Sequence, residues 1–122
     1  MEGCERVTHF MHLQDAPFQK IAAGPKTFEL RLYDEKRKAV KVGDTIVFDK
    51  LADSNARITT TVVAIHVFDS FEELYATLPL EKCGYAKGED ALPSDMEKYY
   101  SKEEQAQYGV VGIEIALCDT NK

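Results

Sequence analysis

The sequence predicts an α+β domain, a small and mostly antiparallel β-barrel with helices at its ends. Three observations predict it. Residues 8–13, 27–33, 45–51, 57–68 and 110–117 read as strands, while helix signals fall between the first two and ahead of the last. Neighbouring strands joined by short turns favour antiparallel pairing. The run 57–68 is long, and both its faces become apolar through Val62, Val63, Ile65 and Val67, as in a strand that bends around a barrel. The chain has 122 residues, the size of one domain, with a core predicted over about 8–117.

The elements follow in order. In Thr8 to Leu13, His9, Met11 and Leu13 share one face, and Phe10 and His12 the other. Asp15-Ala16-Pro17 opens a helix, with Asp15 as N-cap and proline tolerated in the first turn. Phe18 and Ile21 lie on its buried side, and Gly24-Pro25 stops it. Residues 27–33 alternate without a break: Phe28, Leu30 and Leu32 point one way, Thr27, Glu29, Arg31 and Tyr33 the other. That is the pattern of a half-buried strand. A charged connection is expected over 34–41, then a turn at Val42-Gly43-Asp44 and a strand over 45–51 with Ile46 and Phe48 on one side. A loop at 52–56 leads into 57–68. Three capping boxes follow, Ser70/Glu73, Ser94/Glu97 and Ser101/Glu104. The first opens a helix over 70–78 with Phe71, Leu74, Tyr75 and Leu78 on its apolar stripe. Residues 79–93 are irregular, 94–108 form two short helices, and Gly109 ends them. The closing strand carries Val111, Ile113, Ile115 and Leu117 on one face, and 119–122 look frayed.

Composition narrows the function. Hydrophobic residues make up 44% and charged ones 30%, which suits a packed globular chain. No apolar run resembles a signal peptide or a membrane span, so the expectation is a soluble, cytoplasmic protein with no membrane contact. Cys4, Cys83 and Cys118 are odd in number and far apart, which fits free thiols rather than disulfides or a metal site. The net charge is −6, yet residues 20–41 hold seven basic side chains against three acidic ones. This local +4 leaves −10 on the remainder, a poor balance for a broad grip on duplex nucleic acid. A local basic cleft facing a phosphate or a short single strand is compatible with it.

Gly24-Pro25-Lys26-Thr27-Phe28-Glu29-Leu30-Arg31, followed by Val42-Gly43-Asp44-Thr45-Ile46-Val47-Phe48, resembles the ASCH domain (activating signal cointegrator homology). The G-x-K-x-x-E-x-R core and the V-G-D turn carry the resemblance. His9, Asp34 and the segment Tyr108-Gly109-Val110-Val111-Gly112-Ile113 extend it over nearly the whole chain. The resemblance implies a PUA-like barrel, RNA or nucleotide as partner, and a cleft lined by the Lys, Glu and Arg positions. It also implies hydrolysis in some branches. One small bacterial branch hydrolyses the acetyl amide of N4-acetylcytidine with a threonine nucleophile at the position that Glu29 occupies here.

Lys26 is the first candidate, as a phosphate or carbonyl contact or as a base. Same-face strand neighbours sit roughly 6.5–7 Å apart, so Glu29 and Arg31 can share one small ligand. Glu29 is read as a general base, an acceptor for a base edge or ribose, or a structural partner of Arg31. Arg31 forks onto phosphate or onto Glu29. Thr27 is a nucleophile only with a base beside it. Asp34 reads as a turn residue that can hold Arg31, and Arg37 and Lys38 as rim charges. The binding set is thus Lys26, Glu29, Arg31, Asp34, Arg37 and His9, and the catalytic set Lys26 and Glu29 with Thr27. Tyr85, Tyr99, Tyr100 and Tyr108 offer rings for base stacking or for packing. No spacing supports a metal, and no Walker loop, G-x-G-x-x-G or G-x-S-x-G is present. Neither cofactor nor metal is expected. Two readings stand: a module binding RNA or a nucleotide, and a metal-independent amidohydrolase or ribonuclease. The first is favoured because no activated nucleophile is visible. A protein partner is a further option, on a monomer or weak dimer.

Overall fold

The computed structural model describes residues 7–53 and 55–118. The expected fraying of 119–122 and the thiol of Cys4 lie outside them. Five strands form one curled sheet: β1 (Thr8–Leu13), β2 (Phe28–Leu32), β3 (Thr45–Lys50), β4 (Arg57–Phe68) and β5 (Val110–Leu117). Their order is β1-β3-β4-β5-β2, so β1 and β2 are the two edges. Pairing is antiparallel except between β1 and β3, which run parallel. The barrel is therefore half-closed, and the consecutive strands that also pair in the sheet are β3–β4, joined by a short loop, and β4–β5, joined through the helical segment. A register shift between Val62 and Ala64 supplies the predicted bend in β4.

The helices are α1 (Asp15–Ala23), α2 (Glu35–Lys38), α3 (Phe71–Thr77) and α4 (Lys102–Tyr108), with 3-10 turns at Leu80–Cys83 and Pro93–Lys98. Asp15 is not the N-cap of α1. Gln14 takes that position without a side-chain cap, and Asp15 in the first turn pairs with Lys50 at 3.0 Å. The charged connection after β2 contains a helix, α2, because the Asp34 carboxylate accepts from the Arg37 amide at 3.2 Å and caps it. Ser101/Glu104 forms the full reciprocal box. At Ser70 the hydroxyl accepts from the Glu73 amide, but the Glu73 carboxylate reaches the Asp69 amide instead. The Ser94/Glu97 box does not form. Pro93 starts the turn one residue earlier, and Asp95 takes the Leu92 amide at 3.3 Å.

Two cores share the sheet. Met11, Phe18, Ile21, Ile46, Phe48 and Ile113 belong to one, closed by α1. Phe28, Leu30, Leu32, Phe71, Leu74 and Val110 belong to the other, beneath α3. Gly112 marks how closely α3 approaches β5: a Cβ there would stand 2.5 Å from Leu78 Cδ1. Leu117, expected inside, is 48% exposed because β5 runs past the core at its end. β2 separates the two cores, so it is buried on both faces rather than half-buried. Glu29 stands directly opposite Ile113, and Arg31 opposite Val111. Directly paired residues share a face, so the charged row of β2 faces the first core at the open seam of the barrel.

Candidate functional site

The seam between β1 and β2 has no backbone ladder. Arg31 bridges it instead: its Nη2 donates to the His12 carbonyl on β1 at 2.9 Å, while its Nε donates to Glu29 Oε2 at 2.6 Å. Glu29 in turn faces Lys26, whose Nζ lies 3.4 Å from Oε1. Lys26 also donates to the Phe28 carbonyl at 2.8 Å and to the Cys83 carbonyl at 2.9 Å. An ammonium has three protons, and these three acceptors use them. The Thr27 amide donates to the Lys82 carbonyl at 2.8 Å, so the start of β2 is clipped to the turn Leu80–Cys83 twice over. Gly84 ends that turn at φ 115°, which an L side chain avoids, and its α-carbon lies beside the Lys26 stem.

The triad is buried, with side-chain exposures of 6% for Lys26, 7% for Glu29 and 13% for Arg31. Burial pushes the Glu29 carboxyl up, but Lys26 and Arg31 outweigh it and hold the group below its ordinary value. Burial works against the Arg31 charge too, and Glu29 more than restores it. A carboxylate so held is a weak proton acceptor and a firm anchor for two cations. Nearby, burial pushes the Cys83 thiol up to about 11, so it stays protonated at neutral pH.

Lys26, Glu29 and Arg31 line one cavity of about 620 Å³. Tyr75, Tyr85, Tyr99 and Tyr100 contribute to its wall, with Asp95 among them. Tyr100 stacks on Phe71 at 6.2 Å, and Tyr99 is half exposed. Tyr75 and Tyr85 meet hydroxyl to hydroxyl at 2.7 Å, and Tyr85 donates to Asp95 Oδ2 at 2.7 Å. Lys20 joins the lining, its ammonium donating to the Gly84 carbonyl. The cavity thus combines buried cations, aromatic faces and carboxylates within the 300–1,000 Å³ usual for a ligand site.

The remaining candidates lie outside that lining. His9 Nε2 is 2.8 Å from Asp44 Oδ2, which ties β1 to the Val42-Gly43-Asp44 turn. Asp34 is occupied by capping α2 and by Arg37, whose Nη1 is 3.2 Å away. Thr27 gives its carbonyl to the Ile115 amide and does not line the cavity, and neither does Tyr108. Tyr75 and Asp95 were missing from the sequence-derived set. Tyr75 reads there as core stripe and Asp95 is not singled out, and the one available signal is the density of tyrosine and acid between 75 and 100. Among the described residues no His, Cys, Asp and Glu group is arranged to hold a metal ion.

The family model for the ASCH domain matches residues 11–118. The chain belongs to the ASCH domain family. The fold of this ASCH domain resembles that of the hypothetical protein PH0355, at TM-score 0.79 and 32% identity over 92% of this chain and 100% of the other. Protein PF0455 from Pyrococcus furiosus is similar at TM-score 0.71 and 32% identity, covering 93% and 99%. ASCH from Zymomonas mobilis shares the fold at TM-score 0.66 and 15% identity, covering 94% of this chain and 69% of its own. No curated protein matches. Within the described residues of this ASCH domain, no helix is long and apolar enough to cross a membrane.

The acid response of the domain follows from its carboxylates. Glu29 and Asp44 are both held below their ordinary values, Glu29 by Lys26 and Arg31 against its burial, Asp44 by His9 and two backbone amides against its own. A depressed carboxylate stabilises the fold above its unfolded pKa, about 4 for these groups, and stops doing so as pH falls through the folded value. The urea midpoint is therefore expected to drop steeply below about pH 4. Glu29→Gln should flatten part of that drop, which denaturation curves in a pH series would check.

Proposed function

We propose that this ASCH domain binds a nucleotide, free or within a short single-stranded RNA, in the cavity beside β2. The observation that carries the reading is the Arg31 guanidinium. Glu29 and the His12 carbonyl take two of its five N–H donors and fix its plane. The rest are left to a guest in a cavity whose wall offers tyrosine faces. A planar fork held in place suits a phosphate, and exposed aromatic faces suit a base. Membership of a family often linked to RNA binding supports the same reading.

Lys26 then acts as a positioning residue, with its protons committed to Glu29 and two carbonyls. Hydrolysis draws less support. Glu29 is held ionised and weakly basic, Thr27 lies off the cavity, and the Cys83 thiol is protonated at neutral pH. A binding titration of nucleoside monophosphates and short oligoribonucleotides at low salt tests the reading. Affinity should weaken as salt rises. Arg31→Ala should reduce it about 10- to 100-fold, the usual range for a charge-assisted hydrogen bond. Arg31→Lys, which keeps the charge but loses the fork, should fall between. Binding that ignores Arg31→Ala, or none to any of these ligands, would remove the proposal.

A further inference from the structure

We infer that Asp95 selects the base, so that the cavity takes nucleotides whose base carries an exocyclic amine in preference to uracil. This rests on the nucleotide reading and adds the ligand class to it. The protons along the wall all run one way. Tyr85 donates to Asp95 Oδ2 at 2.7 Å, which commits its one hydroxyl proton. In the contact between Tyr75 and Tyr85 at 2.7 Å, Tyr75 must then be the donor. Both phenol protons thus run toward the carboxylate and none is left for a guest. The Leu92 amide also falls on Oδ2, at 3.3 Å. Oδ1 receives neither bond and remains an acceptor, on a side chain latched from two sides.

The hydrogen bond from Tyr85 holds the Asp95 carboxyl below its ordinary value, so it is ionised at neutral pH and offers no proton. Glu89 and Asp90 in the lining add acceptors of the same kind. This part of the wall pairs with N–H groups, with the Lys20 and Lys98 ammonium groups elsewhere in the lining. The amine of cytosine, adenine or guanine supplies one, whereas uracil presents a carbonyl where cytosine has its amine and sets acceptor against acceptor. Uracil has one base-edge N–H, but the carbonyls on both sides of it weaken its bond to a carboxylate relative to an exocyclic amine.

The test is the selectivity ratio. Wild-type protein is titrated with CMP, AMP, GMP and UMP in one low-salt buffer, and Asp95→Asn likewise. Asparagine can keep both scaffold bonds on its carbonyl oxygen and turns the free position into a donor. Wild type should bind CMP about tenfold more tightly than UMP. In the variant the ratio should fall to about one or invert, which a purely structural role for Asp95 would not produce. Equal wild-type affinity for CMP and UMP, or an unchanged ratio in the variant, overturns this inference and leaves the nucleotide reading standing. Absence of binding to all four overturns both.

Discussion

Glu29→Gln is expected to lose about 3–5 kcal/mol of folding stability, the usual cost of removing one partner from a buried ion pair. For a domain of this size that is a fall in Tm of about 10–20 °C. Glutamine keeps the shape and one acceptor oxygen, so the lost quantity is the charge. Lys26 and Arg31, 6% and 13% exposed, would stand side by side without the carboxylate they share. Lys26→Met acts from the other end. It leaves Glu29 with Arg31 but strips the Phe28 and Cys83 carbonyls of their donor. The double variant should therefore be less destabilised than the sum of the singles, with a coupling of about 1–3 kcal/mol. Urea denaturation of the four proteins closes the cycle. A loss below about 1 kcal/mol in Glu29→Gln would place these cations in the range of solvated surface pairs and end the buried-triad account.

The same buried triad explains what could be read in the chain and what could not. Alternation along β2 was legible because a strand has period two, and it put Glu29 and Arg31 on one face correctly. It could not show that this face is also covered, because its partners lie elsewhere in the chain: the Cys83 carbonyl takes Lys26, and the His12 carbonyl of β1 takes Arg31. Lys26 looked available for a ligand because two of its partners are carbonyls, which carry no residue-type signal; one of them is 57 positions away. His9 shows the same limit, since its partner Asp44 is 35 positions away across the parallel β1–β3 pair. Periodicity predicts strands but not which edge meets which, so the parallel pair and the open seam were invisible. α2 was missed because four charged residues carry no apolar stripe, and only Asp34 signals a start. Asp95 was missed because one carboxylate at the start of a helical stretch carries no sequence signal of its partner Tyr85, ten positions away.

Phe71→Ala is expected to cost about 3–5 kcal/mol, as for other fully buried phenylalanines, and its consequence for binding is the more informative part. Phe71 is 1% exposed and opens α3 under the cavity wall. Tyr100 stacks on it with 16° between the planes, and Tyr75 meets it edge-on at 6.4 Å and 85°. Both tyrosines line the cavity, so this ring sets the orientation of two wall residues without touching a guest. Truncation confounds unfolding with loss of the wall. Phe71→Leu separates them: it keeps most of the apolar volume, should cost only about 1–2 kcal/mol, and removes the aromatic partner of Tyr100. Aromatic pairs contribute about 0.5–1.5 kcal/mol beyond burial. A Tyr100 released from that pairing should weaken nucleotide binding several-fold while the protein remains folded. The check is a denaturation curve and a binding titration on the same sample of Phe71→Leu. Wild-type affinity in a folded Phe71→Leu would mean that the orientation of Tyr100 does not matter to the ligand. Recognition would then rest on Arg31 and Asp95, at the polar parts of the cavity, rather than on its tyrosine faces.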